Sequence, residues 1–294
     1  YPLRRQRQMC IRDSPYTKGL IYCKPQLDTN YKILPTVDEF FDVSSTGELI
    51  DKTPDFTQFG TLERTTLSTD VVLNVKNLNT WYPQKRNLFG KVLSYVKAVN
   101  DVSFQVKKGQ TLGLVGESGC GKSTIGNTLM GIVNASDGEV LYNGQNILKY
   151  SKAEWKKFRK KAQIIFQDPY SSLNPRKTVE QIILEPMMVN EIGANKAERL
   201  EMIMDLLETV GLEKAHMKRY PHEFSGGQRQ RICIARTLAL KPEIIICDES
   251  VSALDVSVQA QVLNLLNDLK EKFQFTYIFI SHDLSVVKFM ADYM

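Results

Sequence analysis

Long apolar runs are what this 294-residue sequence most plainly lacks. None approaches the roughly 18–20 residues that a membrane-spanning helix needs, and stretches such as Ile244-Ile245-Ile246 are strand-sized. Any role at a membrane must therefore come through a partner. Paired cysteines are missing too. Cys10, Cys23, Cys120, Cys233 and Cys247 form no Cys-x-x-Cys pair and read as reduced, structural thiols of a cytoplasmic protein, not as disulfides or metal ligands. Nor is there a basic stripe with interleaved aromatics, the footprint of nucleic-acid binding. The net charge is +5, but Arg4, Arg5, Arg7 and Arg12 against Asp13 place most of it in residues 1–14. The cluster Lys156, Lys157, Arg159, Lys160 and Lys161 reads as the solvated face of a helix. No nucleic-acid partner is expected, and no internal repeat is evident.

What is present is ordinary globular material. With 43% hydrophobic and 24% charged residues, the chain has enough apolar mass for a sizeable core. Residues 1–14 have neither the apolar core of a signal peptide nor the periodicity of a transit peptide. Met9-Cys10-Ile11-Arg12-Asp13-Ser14 resembles translated sequencing-adapter sequence, so residues 1–14 are expected to be a non-native leader. The chain stops at Met294 inside an apolar helical pattern, and truncation at the C-terminus is expected. Residues 15–70 are rich in Pro, Thr, Asp and Gly, and Thr53 to Asp70, punctuated by Pro54 and Gly60, reads as a linker.

From Val71 onward strands and helices alternate. Strands are expected at Val71–Leu78, Ala98–Val106, Thr111–Val115, Glu139–Tyr142, Ala162–Phe166, Ile244–Cys247 and Tyr277–Ile280. Helices are expected at Ser123–Val133, after the capping boxes Ser151–Glu154 and Thr178–Gln181, at Ala197–Val210, around Gln259–Phe273 and after Asp283. Such alternation implies an α/β fold: a mainly parallel sheet with helices on both faces. The helical run between Gln167 and Pro242 reads as a lobe inserted into that sheet.

The chemistry lies at the strand ends. Gly116-Glu117-Ser118-Gly119-Cys120-Gly121-Lys122-Ser123 fits G-x-x-x-x-G-K-[ST] between a strand and a helix. Its glycines let backbone N–H groups wrap phosphates, Lys122 reaches the β/γ-phosphates, and the Ser123 hydroxyl suits Mg²⁺. The positive end of the following helix dipole faces the same anion. The strand Ile244–Cys247 delivers Asp248, suited to the Mg²⁺ shell, and Glu249, placed to polarise an attacking water. His282 and Gln167 each follow an apolar strand and emerge at the same edge, His282 toward the γ-phosphate and Gln167 toward Mg²⁺ or water. Finally, Ser225-Gly226-Gly227-Gln228 opens a second helix whose N-terminus is built to meet phosphate. One domain needs one cradle for its own nucleotide, so the second is read as serving a partner's.

Together these motifs resemble the ATP-binding-cassette (ABC) ATPases over residues 71–294. The ordered set is Gly116–Ser123 (Walker A), Gln167 (Q-loop), Phe224–Gln228 (signature), Ile244–Glu249 (Walker B), Ser252–Asp255 (D-loop) and His282 (switch histidine). Phe224 stands where the signature usually has Leu, and Ser250 where Pro commonly follows the glutamate. The resemblance implies a P-loop NTPase fold with an N-terminal antiparallel β portion and a helical subdomain at about 168–240. It also implies ATP and Mg²⁺ as ligands, nucleotide contacts from Gly116 through Thr124, and a head-to-tail dimer in which ATP lies between one Walker A and the other signature. Tyr82, with Tyr95 as the alternative, is expected to stack on adenine.

Finer wording narrows the resemblance. Phe166 to Arg176 (FQDPYSSLNPR) and Ser252 to Gln261 (SALDVSVQAQ) look like the oligopeptide/dipeptide importer ATPases. Pro15-Tyr16-Thr17-Lys18-Gly19-Leu20 resembles a motif those proteins carry after their cassette, which implies that residues 15–70 are the tail of a preceding cassette plus a linker. The implied partners are a second ABC cassette in the same full-length chain, integral membrane permease subunits and, indirectly, a periplasmic or lipoprotein substrate-binding protein. The implied place is the cytoplasmic face of the bacterial inner membrane. The alternative reading is a soluble ABC ATPase of a non-transport complex: a phosphonate-degradation component, or a DNA- or ribosome-associated protein.

Overall fold

Pro15 occupies the first turn of α1 (Pro15–Cys23), where its fixed φ suits a helix and its missing N–H costs nothing. The computed structural model describes residues 14–44, 49–52, 54–61, 68–87 and 92–294. The leader expected over residues 1–14, with Cys10, falls outside the described residues except for Ser14, and so do Thr53 and residues 62–67 of the expected linker. After α1 comes a small antiparallel pair, β1 (Phe41–Val43) with β2 (Leu49–Asp51). Part of the stretch read as a linker is structured. Phe56–Phe59 forms a 3-10 turn, Phe59 is buried, and its ring meets Tyr31 and Phe56 edge-on. Two aromatics in a polar stretch suffice to dock it.

This N-terminal segment lies against the main body. Cys23, Leu34 and Val37 share a core with Val262 and Leu266. Leu34 and Asn264 exchange two hydrogen bonds, Leu34 N–H to Oδ1 and Nδ2 to Leu34 O, both 2.8 Å. Burial, chiefly, pushes the Cys23 thiol up to about 12.

The antiparallel β portion comes next. β3 (Val71–Arg86) and β4 (Val92–Lys107) are nearly twice as long as the sequence pattern suggests. Their alternation breaks where the register shifts between Val75 and Thr80. There Asn77 and Asp101 take φ values of 47° and 54°, and Asn77 Nδ2 donates to Asp101 Oδ1 at 2.7 Å. Polar residues pinned to each other at a bulge thus hide a continuous strand. The main sheet then begins with β5 (Thr111–Val115), while β6 (Asp137–Tyr142) and β7 (Gln145–Asn146) complete the antiparallel sheet in the order β4-β3-β6-β7.

The parallel sheet has the order β5-β10-β9-β8, with β8 at Ala162–Ile165, β9 at Ile244–Asp248 and β10 at Thr276–Ser281. Every residue of β9 and β10 is buried. Their apolar runs divide by parity. Ile244, Ile246, Ile278 and Ile280 face one core, and Ile245, Cys247, Tyr277 and Phe279 face the other.

The first of those cores holds α2 (Lys122–Leu129), which follows the phosphate loop. It stops four residues short of the expected end because Gly131 turns the chain at φ 62°. α3 (Lys152–Lys161) is the basic helix, capped by Ser151 and Glu154 as its spacing indicates. The inserted lobe consists of α4 (Pro169–Ser172), α5 (Val179–Val189), α6 (Lys196–Thr209) and α7 (Gly226–Leu238). Behind the sheet lie α8 (Val256–Phe273), starting three residues earlier than its periodicity suggests because Asp255 caps it, and α9 (Leu284–Met290). Among the described residues no helix is long and apolar enough to cross a membrane.

Candidate functional site: a phosphate loop and three strand ends

The topology collects the chemistry at one sheet edge. The C-terminal ends of β5, β10, β9 and β8 lead, in that spatial order, to Gly116, His282, Glu249 and Gln167. This is the edge where open α/β sheets bind ligands.

The loop itself is shaped by backbone proximity. Gly121 sits at φ 100°, and a Cβ there would lie 2.0 Å from the carbonyl oxygen of Ala98. Only glycine fits between the phosphate loop and β4. Lys122 is buried, and its ammonium donates to the carbonyls of Gly116 and Glu117, both at 2.7 Å. No carboxylate neutralises it at salt-bridge distance among the described residues. A buried cation held by two carbonyl dipoles and, more loosely, by Cys120 Sγ at 3.7 Å, beside a helix N-terminus, is a fitting receptor for phosphate.

Beside it, Ser123 Oγ donates to Asp248 Oδ1 at 2.8 Å. Burial pushes the Asp248 carboxyl above its ordinary value and the Glu249 charge adds to this, while the Ser123 hydrogen bond and Lys122 pull the other way. A hydroxyl paired with a desolvated carboxylate is a suitable donor set for a hard divalent cation.

Glu249 is the meeting point. Its Oε2 lies 3.4 Å from Gln167 Nε2 and 3.3 Å from His282 Nδ1. Its side chain is 13% exposed, against 52% for His282. Glu249 also has φ 47°, a left-handed conformation that costs a non-glycine residue on the order of 1 kcal/mol. The bond from its N–H to Ile280 O (3.0 Å) holds it there. This strain was not foreseen, and Ser252, named only as the start of the D-loop, was given no contact with Gln167 or Glu249. Ser252 Oγ receives Gln167 Nε2 at 3.3 Å and donates to Glu249 O at 2.9 Å. A serine three residues after the glutamate, in a turn, was the available signal.

An open groove of about 620 Å³ runs past these groups, lined among others by Ser123, Gln167, Asp168, Arg236 and Asp248. A larger cavity of about 790 Å³ opens beyond the opposite end of α2, beside Trp155 and Arg159, and contains none of the phosphate-site residues.

Ser225-Gly226-Gly227-Gln228 is placed differently. It makes no hydrogen bond to this group among the described residues. Ser225 N–H donates to Gln228 Oε1 (3.1 Å), and Gln228 N–H donates to Ser225 Oγ (3.3 Å), a reciprocal cap in which the Ser225 hydroxyl itself donates to no acceptor among the described residues. Gly227 abuts α8: a Cβ there would meet Val258 Cγ1 at 2.2 Å. Tyr82 and Tyr95 are both solvent-exposed, and Tyr82 faces Val96 across the β3–β4 ladder.

The similarities of the chain agree with this geometry. The ABC transporter family matches residues 99–252. The oligopeptide transport ATP-binding protein OppF of Bacillus subtilis (strain 168) is 53% identical over 225 residues, covering 76% of this chain and 72% of that protein. The dipeptide transport ATP-binding protein DppF of Escherichia coli (strain K12) is 51% identical over 221 residues, covering 75% and 66%. The glutathione import ATP-binding protein GsiA of Pectobacterium atrosepticum is 44% identical over 275 residues. That match takes in 93% of this chain but only 43% of GsiA. Among solved structures, the dimeric structure of MJ0796, a bacterial ABC transporter cassette, superposes with a TM-score of 0.65 at 28% identity. It covers 74% of this chain and 91% of that one. A second MJ0796 structure, a post-hydrolysis state bound to ADP and Pi, gives 0.64. This chain belongs to the ABC transporter family, as one of its ATP-binding cassettes and an ATPase.

Proposed function

We propose that this cassette hydrolyses Mg²⁺-ATP to energise an importer of oligopeptide or dipeptide type, docked on integral membrane permease subunits at the cytoplasmic face of a bacterial inner membrane. The names of the relatives support transport over the non-transport alternative. The observation that carries the catalytic part is the convergence of Gln167 and His282 on one oxygen of Glu249, beside the Ser123–Asp248 pair.

In this reading Gly116, Glu117, Ser118, Gly119, Cys120, Gly121, Lys122, Ser123 and Thr124 hold the nucleotide phosphates, and Tyr82 or Tyr95 covers the adenine. Lys122 neutralises charge on the β/γ-phosphates. Glu249 accepts a hydrogen bond from water and orients it toward the γ-phosphorus, where an O–P bond forms as the β–γ bridging bond breaks. His282 and Gln167 fix that carboxylate, and His282 faces the γ-phosphate. Ser123, Asp248 and Gln167 would hold Mg²⁺, which when bound supplies positive charge against the phosphate oxygens.

Ser225, Gly226, Gly227 and Gln228 would meet the nucleotide of a second cassette, as the unengaged Ser225 proton allows. Similarity to GsiA extends over 93% of this chain yet less than half of that protein. This supports assigning residues 15–70 to the tail of a preceding cassette plus a linker, with 71–294 as the nucleotide-binding domain and the second cassette in the same full-length chain. A periplasmic or lipoprotein binding protein would deliver cargo to the permeases.

The test is Glu249→Gln in the full-length protein. ATP binding should persist while turnover falls by about 100-fold or more. Unchanged turnover would remove Glu249 from the mechanism.

A further inference from the structure

Arg229, on the first turns of α7, is 5% exposed yet pairs with no carboxylate at salt-bridge distance among the described residues. Its Nε donates to Pro221 O at 2.7 Å, and Nη2 reaches toward His222 O at 3.5 Å. Its own N–H donates to Ser225 O at 3.0 Å. The guanidinium therefore ties the turn before the Ser-Gly-Gly-Gln segment to the helix that follows it. Its flat face is covered by the ring of Tyr170, whose centroid lies 3.6 Å from the guanidinium carbon. That is close stacking for a cation on an aromatic face.

Tyr170 belongs to α4, three residues after Gln167. Asp168 caps this helix, its carboxylate accepting from Tyr170 N–H at 2.8 Å and Ser171 N–H at 3.3 Å. A second tie runs parallel, from Arg236 Nη1 on α7 to Ser172 O at 2.5 Å. A short continuous path thus leads from Gln167, which touches Glu249, through Asp168 and Tyr170 to Arg229 and the Ser225 turn. Yet the Tyr170 residue as a whole is 64% exposed, so its contribution to the core is small.

We propose that Tyr170 is a positioning residue: its ring, stacked on Arg229, transmits the position of Gln167 at this cassette's own nucleotide to Ser225 and Gly227, which serve the partner's. The proposal rests on the reading that Ser225–Gln228 meets a second nucleotide. The stack makes the two sites interdependent, because displacing Gln167 drags the Tyr170 ring and with it the cap of α7. An aromatic face is required there; the phenol oxygen is not.

The experiment measures ATP turnover and nucleotide affinity of the full-length protein, without permeases, for Tyr170→Leu and Tyr170→Phe. Tyr170→Leu should lower kcat roughly three- to tenfold, with ATP affinity unchanged within about twofold. Tyr170→Phe should retain most of the turnover. In a double-mutant cycle with Arg229→Lys, Tyr170→Leu should add little further loss. Wild-type turnover in Tyr170→Leu would overturn the proposal, and so would equal damage from Tyr170→Phe or a parallel loss of ATP affinity. Ser225→Arg separates the underlying reading. If it leaves turnover intact, the second-nucleotide role of Ser225 fails. If it abolishes turnover while Tyr170→Leu does nothing, only the relay fails.

Discussion

Replacing Gly227 by alanine should move the signature segment by a calculable amount, and a second substitution should move it back. The added Cβ would sit 2.2 Å from Val258 Cγ1, whereas ordinary contact begins at 3.4 Å, so α7 must retreat from α8 by about 1.2 Å. Val258 cannot simply rotate away, because a β-branched side chain in a helix has one strongly preferred χ1. Overpacking of this kind costs about 1–3 kcal/mol. For a chain of this size that corresponds to a melting temperature lower by roughly 2–5 °C. Turnover should suffer more, since a displacement near 1 Å of a positioning group costs up to about 100-fold. Val258→Ala removes the offending methyl and leaves only the Val258 Cβ, at 3.5 Å. Gly227→Ala/Val258→Ala should therefore recover most of the lost turnover. The measurements are thermal denaturation and steady-state ATP hydrolysis by the full-length protein. A Gly227→Ala variant with normal turnover would refute the reasoning, as would a double variant no better than the single one.

Gly121→Ala would combine a left-handed φ of 100° with a 2.0 Å approach to the Ala98 carbonyl, so ATP affinity should fall at least about tenfold in a fluorescent-nucleotide titration; unaltered affinity would contradict the described loop. Native-state alkylation followed by peptide mapping should label exposed Cys120 and spare Cys23, Cys233 and Cys247. Burial drives those three thiols up to about 12, 11 and 12 respectively. Early labelling of a buried cysteine would show that its core opens. At Asp283 burial raises the carboxyl pKa, but hydrogen bonds from Ser285 and the charge of Lys24 outweigh it, and the net shift is downward. Its stabilising contribution should be complete above about pH 5 and vanish as pH falls through the lowered value. The melting difference between wild type and Asp283→Asn should accordingly be constant from neutral pH to about 5 and shrink below that; a constant difference at all pH values would exclude this titration.

The phosphate loop, the acidic strand end and the histidine were legible because each depends on a local pattern. An apolar strand buried on both faces, such as Ile244–Cys247, announces that whatever follows it emerges at the sheet edge. The long β3–β4 ladder was not legible beyond its best-alternating parts, since Asn77 and Asp101 satisfy each other at a bulge and interrupt the period of two. The docking of residues 54–61 was not legible because a local reading cannot foresee Phe59 meeting Tyr31, 28 positions earlier. The strain at Glu249 was invisible for a similar reason. It is imposed by a hydrogen bond to Ile280, on a strand that the sequence reaches only later. The stack of Tyr170 on Arg229 likewise joins two helices that sequence spacing does not connect.

The strand order β5-β10-β9-β8 carries a consequence for how the protein is made. The strand that joins β5 to the remainder of the parallel sheet, β10, is the last of the four to be made. During synthesis β5 and β9 must each wait with an unpaired edge. About 160 residues separate the end of β5 from the start of β10. At about 5–20 residues per second that is roughly 10–30 s of exposure to mispairing. The ribosome, by its pace, sets the period in which a chaperone is most needed, and synonymous codons that slow translation between Val115 and Thr276 should raise the fraction lost to aggregation.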